Sequence, residues 1–523
     1  MSQAAHGAFA GRLDWSYNWD MLPGRALVAL VFGCLLAAAG PARGEERALR
    51  VGLTALPSTL DPATSVDAPA AMVTRQVFDT LVQYRDGGSE AEPGLATQWS
   101  VSKDGLTWTF RLRDGVRFHD GTVLTAQHVV TSIERQLFAG HPLAPAAPAV
   151  APRLLRGAPG VVKEIKAPDA RTVRIQLGLP YAPLVTVLGH PGLAVALPAP
   201  GEGATARWLG TGAFAIAEAG PARIVLEAQP AYWGGAPRLA RLVFVAEPDG
   251  ARAIEARDLD VWFPDGAPPR MAGALSVPGW RIGYLAMQTE REPFSRKKVR
   301  HAVAAAIDPE LVSVAMEPGG AVLQSFLPPG VWARRPGPPI TEGNPTAARR
   351  LLAEAGLSRG VTATLLVVSG VEEQGRLAEA LRTALAAAGI AVQLQAAPAA
   401  EVMAVAQAGE HRMVLVEAQA EGGDPHLLLY PLSTSEAATK GPSAWNLSFY
   451  RNPRLDDLLI RASQLSFRPE RQRVYTRAQQ VLAEDLPWIP LYVRRHWAVA
   501  RPEVRGLRLH PSGQHRLDRI SLD

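Results

Sequence analysis

A single cysteine, Cys34, is all the thiol chemistry that the 523-residue chain carries. Without a second sulfur, neither an intrachain disulfide nor a cysteine cage for a metal is available. The formal net charge of +5 is spread along the length with no basic run, which argues against a nucleic-acid partner. No apolar run reaches the roughly 20 residues that a membrane-spanning helix needs. There is no internal repeat, and low complexity is confined to an Ala/Pro-rich stretch over residues 141–160. The histidines are scattered, with no His-x-x-x-His pair or other tight ligand spacing, so no metal site is expected. Neither a Gly-x-Ser-x-Gly elbow nor a P-loop is spelled, and no cofactor is implied.

What is present is ordinary for a globular chain: 47% hydrophobic and 20% charged residues, with length for about three domains of roughly 150 residues. One segment stands apart. Arg25 precedes an apolar or small run from Ala26 to Ala39, followed by Gly40, Pro41, Ala42, Arg43 and Gly44. A basic residue, a short apolar core and a small-residue exit predict an export signal cleaved after Ala42 or Gly44, and hence a periplasmic protein. The twenty residues before Met21 are polar and aromatic and do not fit a signal, so translation is expected to start at Met21. A lipoprotein anchor at Cys34 is disfavoured by the bulky Phe32 before it and by Leu35 and Leu36, which continue the apolar run.

Beyond the signal, strand and helix patterns alternate. Trp108, Phe110 and Leu112 alternate with Thr107, Thr109 and Arg111, as do Val173, Ile175 and Leu177 with Arg174 and Gln176, the period of half-buried strands. Lys103-Asp104-Gly105 predicts a hairpin turn. Val299, Ala302, Val303, Ala306 and Ile307 fall at helical spacing, and Asp308-Pro309 should end that helix and cap the next. Asn344-Pro345 repeats the device for a helix that stops at Gly356. A further helix is expected over residues 470–484, with strands over residues 362–368 and 390–394. The reading is mixed α/β with at least two lobes.

A series of motifs then appears in a fixed order: Leu60-Asp61-Pro62; Val77-Phe78-Asp79-Thr80-Leu81; Pro93-Gly94-Leu95-Ala96; Leu112-Arg113-Asp114-Gly115-Val116 with Phe118-His119-Asp120-Gly121; and Ser132-Ile133-Glu134-Arg135. Gly210-Thr211-Gly212, Tyr232-Trp233-Gly234-Gly235, Lys298-Val299-Arg300-His301-Ala302, Asp424-Pro425 and Ile489-Pro490-Leu491-Tyr492 follow. In this order they resemble the extracellular solute-binding proteins of the oligopeptide, dipeptide and nickel ABC importers, across nearly all of the chain after the signal. Gln127-His128-Val129 and Gln288 depart from residues common in that family.

The resemblance implies a two-lobed α/β clamp with an extra domain inserted in the first lobe. Lobe I would comprise residues 45–75, 209–283 and 492–523, the inserted domain 76–208 and lobe II 284–491, with residues 1–44 as extension and signal. The hinge would cross near Tyr284 and Tyr492. Such a clamp would close on a short peptide or similar small solute, as a monomer, and deliver it to the membrane permease of an ABC importer. The acidic residue four positions before the proline of the Asp-Pro motif would anchor the ligand's amino end. Here that residue is Glu421, where relatives usually carry aspartate. The alternative for Glu421 is an exposed loop glutamate. Gly422 belongs to the same turn, and Asp424 reads more readily as a helix cap. Leu56, Pro57 and Ser58 are expected ligand contacts or else plain strand and turn. Trp445 and Asn446 lie where relatives line the cleft, with buried core as the alternative for Trp445. Nickel or a metal chelate, an opine or a sugar are other cargoes of the resemblance.

Several features read as structural: the His119-Asp120-Gly121 turn at a strand end, lobe packing by Tyr232-Trp233, and Arg300 on an exposed helix face or in an ion pair. Ser295-Arg296-Lys297-Lys298 spells the Ser-x-x-Lys of penicillin-recognising acyl enzymes, but neither companion motif is present. Ser295 is therefore expected to cap a helix rather than act as a nucleophile, and the chain is not expected to be an enzyme.

Overall fold

The computed structural model describes residues 48–64, 67–138, 140–145, 151, 154–155, 162–199, 208–335, 337–442 and 444–523. The signal segment with Cys34 and Met21, and most of the Ala/Pro-rich stretch, lie outside the described residues.

In chain order the strands are β1 (Ala48–Leu53), β2 (Val82–Tyr84), β3 (Ala91–Pro93), β4 (Ala96–Val101), β5 (Thr107–Leu112), β6 (Val162–Asp169) and β7 (Thr172–Leu177). Next come β8 (Leu197–Pro198), β9 (Trp208–Leu209), β10 (Phe214–Ala219), β11 (Arg223–Ala228), β12 (Arg241–Ala246) and β13 (Val261–Phe263). The rest are β14 (Ala274–Met287), β15 (Gly320–Val322), β16 (Val361–Val368), β17 (Ile390–Ala397), β18 (Met413–Gln419), β19 (Trp488–Ala500), β20 (Val504–Arg505) and β21 (Ser521–Leu522). One sheet runs in the order β10-β11-β12-β1-β13-β19-β14-β18-β16-β17, with β15 beside β19, and a second in the order β4-β5-β7-β6.

The alternation read in residues 107–112 and 173–177 puts Trp108, Phe110, Val173 and Ile175 in the core while their neighbours face out. The turn between β4 and β5 forms as its residues demand. Asp104 accepts a hydrogen bond from the Leu106 amide at 3.0 Å, and Gly105 takes φ of 74°. Asp308 and Asn344 each accept a first-turn amide at the head of a proline-led helix, Pro309–Met316 and Pro345–Glu354. The expected helix over 470–484 runs Arg468–Asp485, and the strand at 390 extends to Ala397 because it is paired along its whole length with β16.

Buried apolar residues fall into three large cores. One gathers Leu49, Val51, Phe214, Phe244 and Leu517 around β1 and β10 to β12. A second, around the β4-β5-β7-β6 sheet, holds Phe110, Ile133, Val173 and Leu184. The third and largest runs from Trp280 to Val493 and holds Leu365, Leu415, Tyr475 and Trp488. Only β14 and β19, 14 and 13 residues long, carry the main sheet from the first core to the third. Their pairing is interrupted between Pro278 and Ile282 and again at Gly283/Tyr284, so the ladder is weakest where the two cores meet.

Two expectations change. The helix after Ser295 begins at Lys297 with Arg296 at its N-cap, and no side chain caps it. Ser295 instead sits in the preceding turn, where its amide donates to Arg291 O at 2.9 Å. Arg300 is not exposed: at 5% exposure it donates to the carbonyls of Phe294 and Asp485, both at 2.8 Å, tying its helix to the end of Arg468–Asp485. His119-Asp120-Gly121 is a turn closed by Asp120 on Thr122, and the His119 ring reaches Gly210 and Gly212. Tyr232 and Trp233 both donate to the buried Asp79.

Candidate functional site

The Asp-Pro motif leaves the end of β18 as a tight turn. Gly422 and Gly423 take φ of 65° and 66°, a conformation open to glycine at little cost. Space enforces the same choice, since a Cβ on Gly423 would stand 2.4 Å from Ser89 Cβ and 2.9 Å from the Trp280 ring. The turn is thereby pressed against the β2–β3 hairpin and strand β14. Glu421, which opens it, is half-buried. Its charge acts on Tyr84, whose hydroxyl is pushed well above the ordinary phenol range by burial first and Glu421 second. That hydroxyl donates to Thr186 O at 2.9 Å.

Asp424 is fully buried and holds Arg471, whose Nη2 lies 2.8 and 2.9 Å from the two carboxylate oxygens. Asp424 also accepts from the His426 amide at 3.0 Å, the capping role its sequence context suggests. Burial alone would lower the Arg471 pKa, but Asp424 and Tyr475 together more than offset it and the guanidinium is raised above its ordinary value.

The other sequence-derived residues are spread out. Leu56 packs half-buried against the first core, Pro57 is half-buried and Ser58 is exposed, all just past the end of β1. Trp445 is 46% exposed, whereas Asn446 is fully buried. The Asn446 amide donates to Thr434 O at 3.0 Å and Tyr450 O at 2.8 Å, which turns its polar end inward. Among these residues, the geometry gathers Glu421, Gly422 and Asp424 in one turn.

A charged cluster across β18, β14 and β19 is absent from the sequence reading. Glu417 of β18, Gly283 of β14 and Tyr492 of β19 stand side by side across three strands. With no side chain at Gly283, the Tyr492 ring lies over it and its hydroxyl donates to Glu417 at 2.7 Å. Arg494 bridges Glu417 and Glu373, both at 2.6 Å. The spacing of these residues in sequence hides the cluster; the only local signal is a glutamate in the otherwise apolar run Met413-Val414-Leu415-Val416. A Cβ on Gly283 would meet the Tyr492 ring at 2.0 Å. Gly283→Ala is therefore expected to cost about 1–3 kcal/mol, read as a drop in urea midpoint with little change in slope.

A cavity of about 710 Å³ lies between the helix Ala68–Val77, the β2 segment, the start of β14 and the tail from Gly506 to Arg519. Tyr84 and His510, stacked with ring centres 6.2 Å apart, belong to its wall. Among the described residues no group of three or more histidine, cysteine or acidic side chains is placed to hold a metal, and no helix is long and apolar enough to cross a membrane.

The profile of the bacterial extracellular solute-binding proteins, family 5, matches residues 90–440, more than half of the chain. Heme-binding protein A of Haemophilus influenzae is 28% identical over 500 residues, covering 89% of this chain and 90% of that protein. The dipeptide-binding protein of Escherichia coli is 26% identical over 499 residues, covering 89% and 92%. HbpA2 from Haemophilus parasuis superposes with a TM-score of 0.82 at 26% identity, covering 91% of this chain and 100% of that one. The periplasmic binding protein DppA from Helicobacter pylori, solved with the peptide STSA, gives 0.72 at 27% identity, covering 91% and 98%. The α/β architecture is that of the two-lobed periplasmic binding proteins, and the chain belongs to the family 5 bacterial extracellular solute-binding proteins.

Proposed function

We propose that the chain captures short peptides in the periplasm, closes two lobes over them and hands them to the permease of an ABC importer. The lobes in this reading are residues 45–75, 209–283 and 492–523 with the inserted domain 76–208, against residues 284–491. What supports a hinge between them is β19, which gives Ala500 to the first core and Trp488 to Val493 to the third, and its broken pairing with the neighbouring β14. Two bodies joined by so few strands can swing about them, and a ligand touching both favours the closed state.

The observation that carries the peptide assignment is Glu421. A half-buried carboxylate on a turn fixed by two left-handed glycines and a buried Asp424–Arg471 pair is preorganised to meet a ligand ammonium. Relatives named for dipeptides, and a neighbour solved with a peptide, agree with this reading. Leu56, Pro57, Ser58 and Trp445 are the remaining candidate contacts. Gly422 would shape the turn, while Asp424 and Asn446 would support the site from behind.

Native mass spectrometry of protein purified from its own host should reveal co-purified di- to pentapeptides. A discrete chelate, opine or sugar mass would replace the peptide reading with that cargo. Calorimetry with such a peptide should show Glu421→Ala weakening binding by about 1.5–3 kcal/mol. Unchanged affinity would remove Glu421 from the site.

A further inference from the structure

The 710 Å³ cavity beside the C-terminal tail is unusual in its charge. Its walls include Arg75, Arg238, Arg508, Arg516 and Arg519, and a single acidic residue, Asp86. That one carboxylate serves two guanidinium groups, at 3.2 Å from Arg519 and 3.9 Å from Arg508. Arg516 is satisfied by Asp518, with contacts of 3.0 and 2.6 Å, and by Gln83 at 3.0 Å.

Arg75 is the exception. Its side chain is only 12% exposed, and its nearest carboxylate is Asp79 at 3.8 Å, too far for a hydrogen bond. The Asp79 oxygens are already taken by Thr211, Tyr232 and Trp233 at 2.7–3.1 Å. A guanidinium carries five donors in a planar fork, and leaving them unmatched in a largely buried place is costly. Burial and the nearby Arg516 charge both work against the Arg75 cation, and the Asp79 and Asp518 carboxylates offset them only in part.

We propose that this cavity binds a small multivalent oxyanion, a polycarboxylate or a phosphate compound, with Arg75 at its base and Arg238 at its rim. Forked guanidinium groups suit the paired oxygens of carboxylate and phosphate, and the volume lies in the range of small-molecule sites. No lining residue lies in 284–491, so the site is complete without the segment that carries Glu421. It is a second site, separate from the solute cleft proposed above, and touches it only through Tyr84.

The probes are inorganic pyrophosphate and citrate, titrated by calorimetry into the full chain at constant ionic strength. Saturable binding of at least one is expected, weakened tenfold or more by Arg75→Gln and severalfold by Arg238→Gln, with Glu421→Ala leaving it unchanged. Arg238 is exposed, so its variant keeps the measurement meaningful if Arg75→Gln destabilises the fold. No saturable heat from either probe overturns the proposal. So does binding that survives both arginine substitutions, which would mark general attraction to a basic surface, or binding that is lost with Glu421→Ala.

Discussion

Asp424→Ala is expected to lower the stability of the folded chain by about 3–5 kcal/mol, read from urea denaturation followed by circular dichroism. The residue is fully buried, and Arg471, itself 7% exposed, would be left as a desolvated cation. Arg471 keeps hydrogen bonds to Ala462 O at 2.8 Å and to the Tyr475 hydroxyl at 3.2 Å and the nearby Trp332 ring at 4.9 Å, and none of these returns the lost charge. Removing both members is predicted to do less damage than removing one, because Asp424→Leu with Arg471→Met leaves apolar groups in place of an orphaned ion. A loss below about 1 kcal/mol in the single variant would mean that water reaches Arg471 and would sink the argument. The same substitution should weaken solute binding indirectly, since the ion pair holds the turn bearing Glu421. Glu421→Ala, by contrast, should change affinity with little change in stability, and this split separates a contact from its support.

This pair also shows where sequence reasoning stops. Asp424 was legible as a cap because its partner for that role, the His426 amide, is two residues away. Its larger role needs Arg471, 47 residues on, and nothing local points there. Asn446 is similar: its neighbour Trp445 faces out while its own amide closes a turn to Thr434 and Tyr450. Elements whose causes lie within a few residues were readable, including the Asp104-Gly105 turn, the Asp308 and Asn344 caps and the period-two strands. Ser295 was misplaced by one residue because the helix start is set by packing of Val299 and Ala302, both fully buried, rather than by a side-chain cap. The Glu417–Tyr492–Arg494 cluster and the arginine cavity depend on strand order and on the fold of the tail, which no spacing rule supplies.

Acid should unfold this protein early, and the histidines are the reason. Burial pushes His426 down to about 3, and pushes His119, His411 and His496 down to about 4. His515 is lowered well below its usual value, by burial and by the neighbouring His496 and His510. An unfolded histidine titrates near 6.5, so each of these groups binds a proton more readily unfolded than folded. The stability they contribute is therefore present above about pH 6.5 and is lost as pH falls towards 4. Each supplies a slope of about 1.4 kcal/mol per pH unit in that window, and the four with stated values make about 5 kcal/mol per unit. Two units of such a slope, about 10 kcal/mol, are comparable with the whole of a typical stability of about 5–15 kcal/mol. Asp79 and Glu134 work in the opposite sense, because burial raises their carboxyls and proton uptake there favours the folded state, but they are two groups against several. Asp485 and Asp518 are lowered carboxylates whose contribution is lost only further down, below the histidine window. Thermal unfolding measured from pH 7.5 to 4 should accordingly show a steep fall beginning near pH 6, with the native state lost near pH 5. His426→Phe, which keeps a ring between Tyr181 and Tyr430, should flatten that fall by about one proton's worth. A melting temperature that stays level down to pH 4 would show that these rings are charged in the folded protein, and the account of their burial would fail.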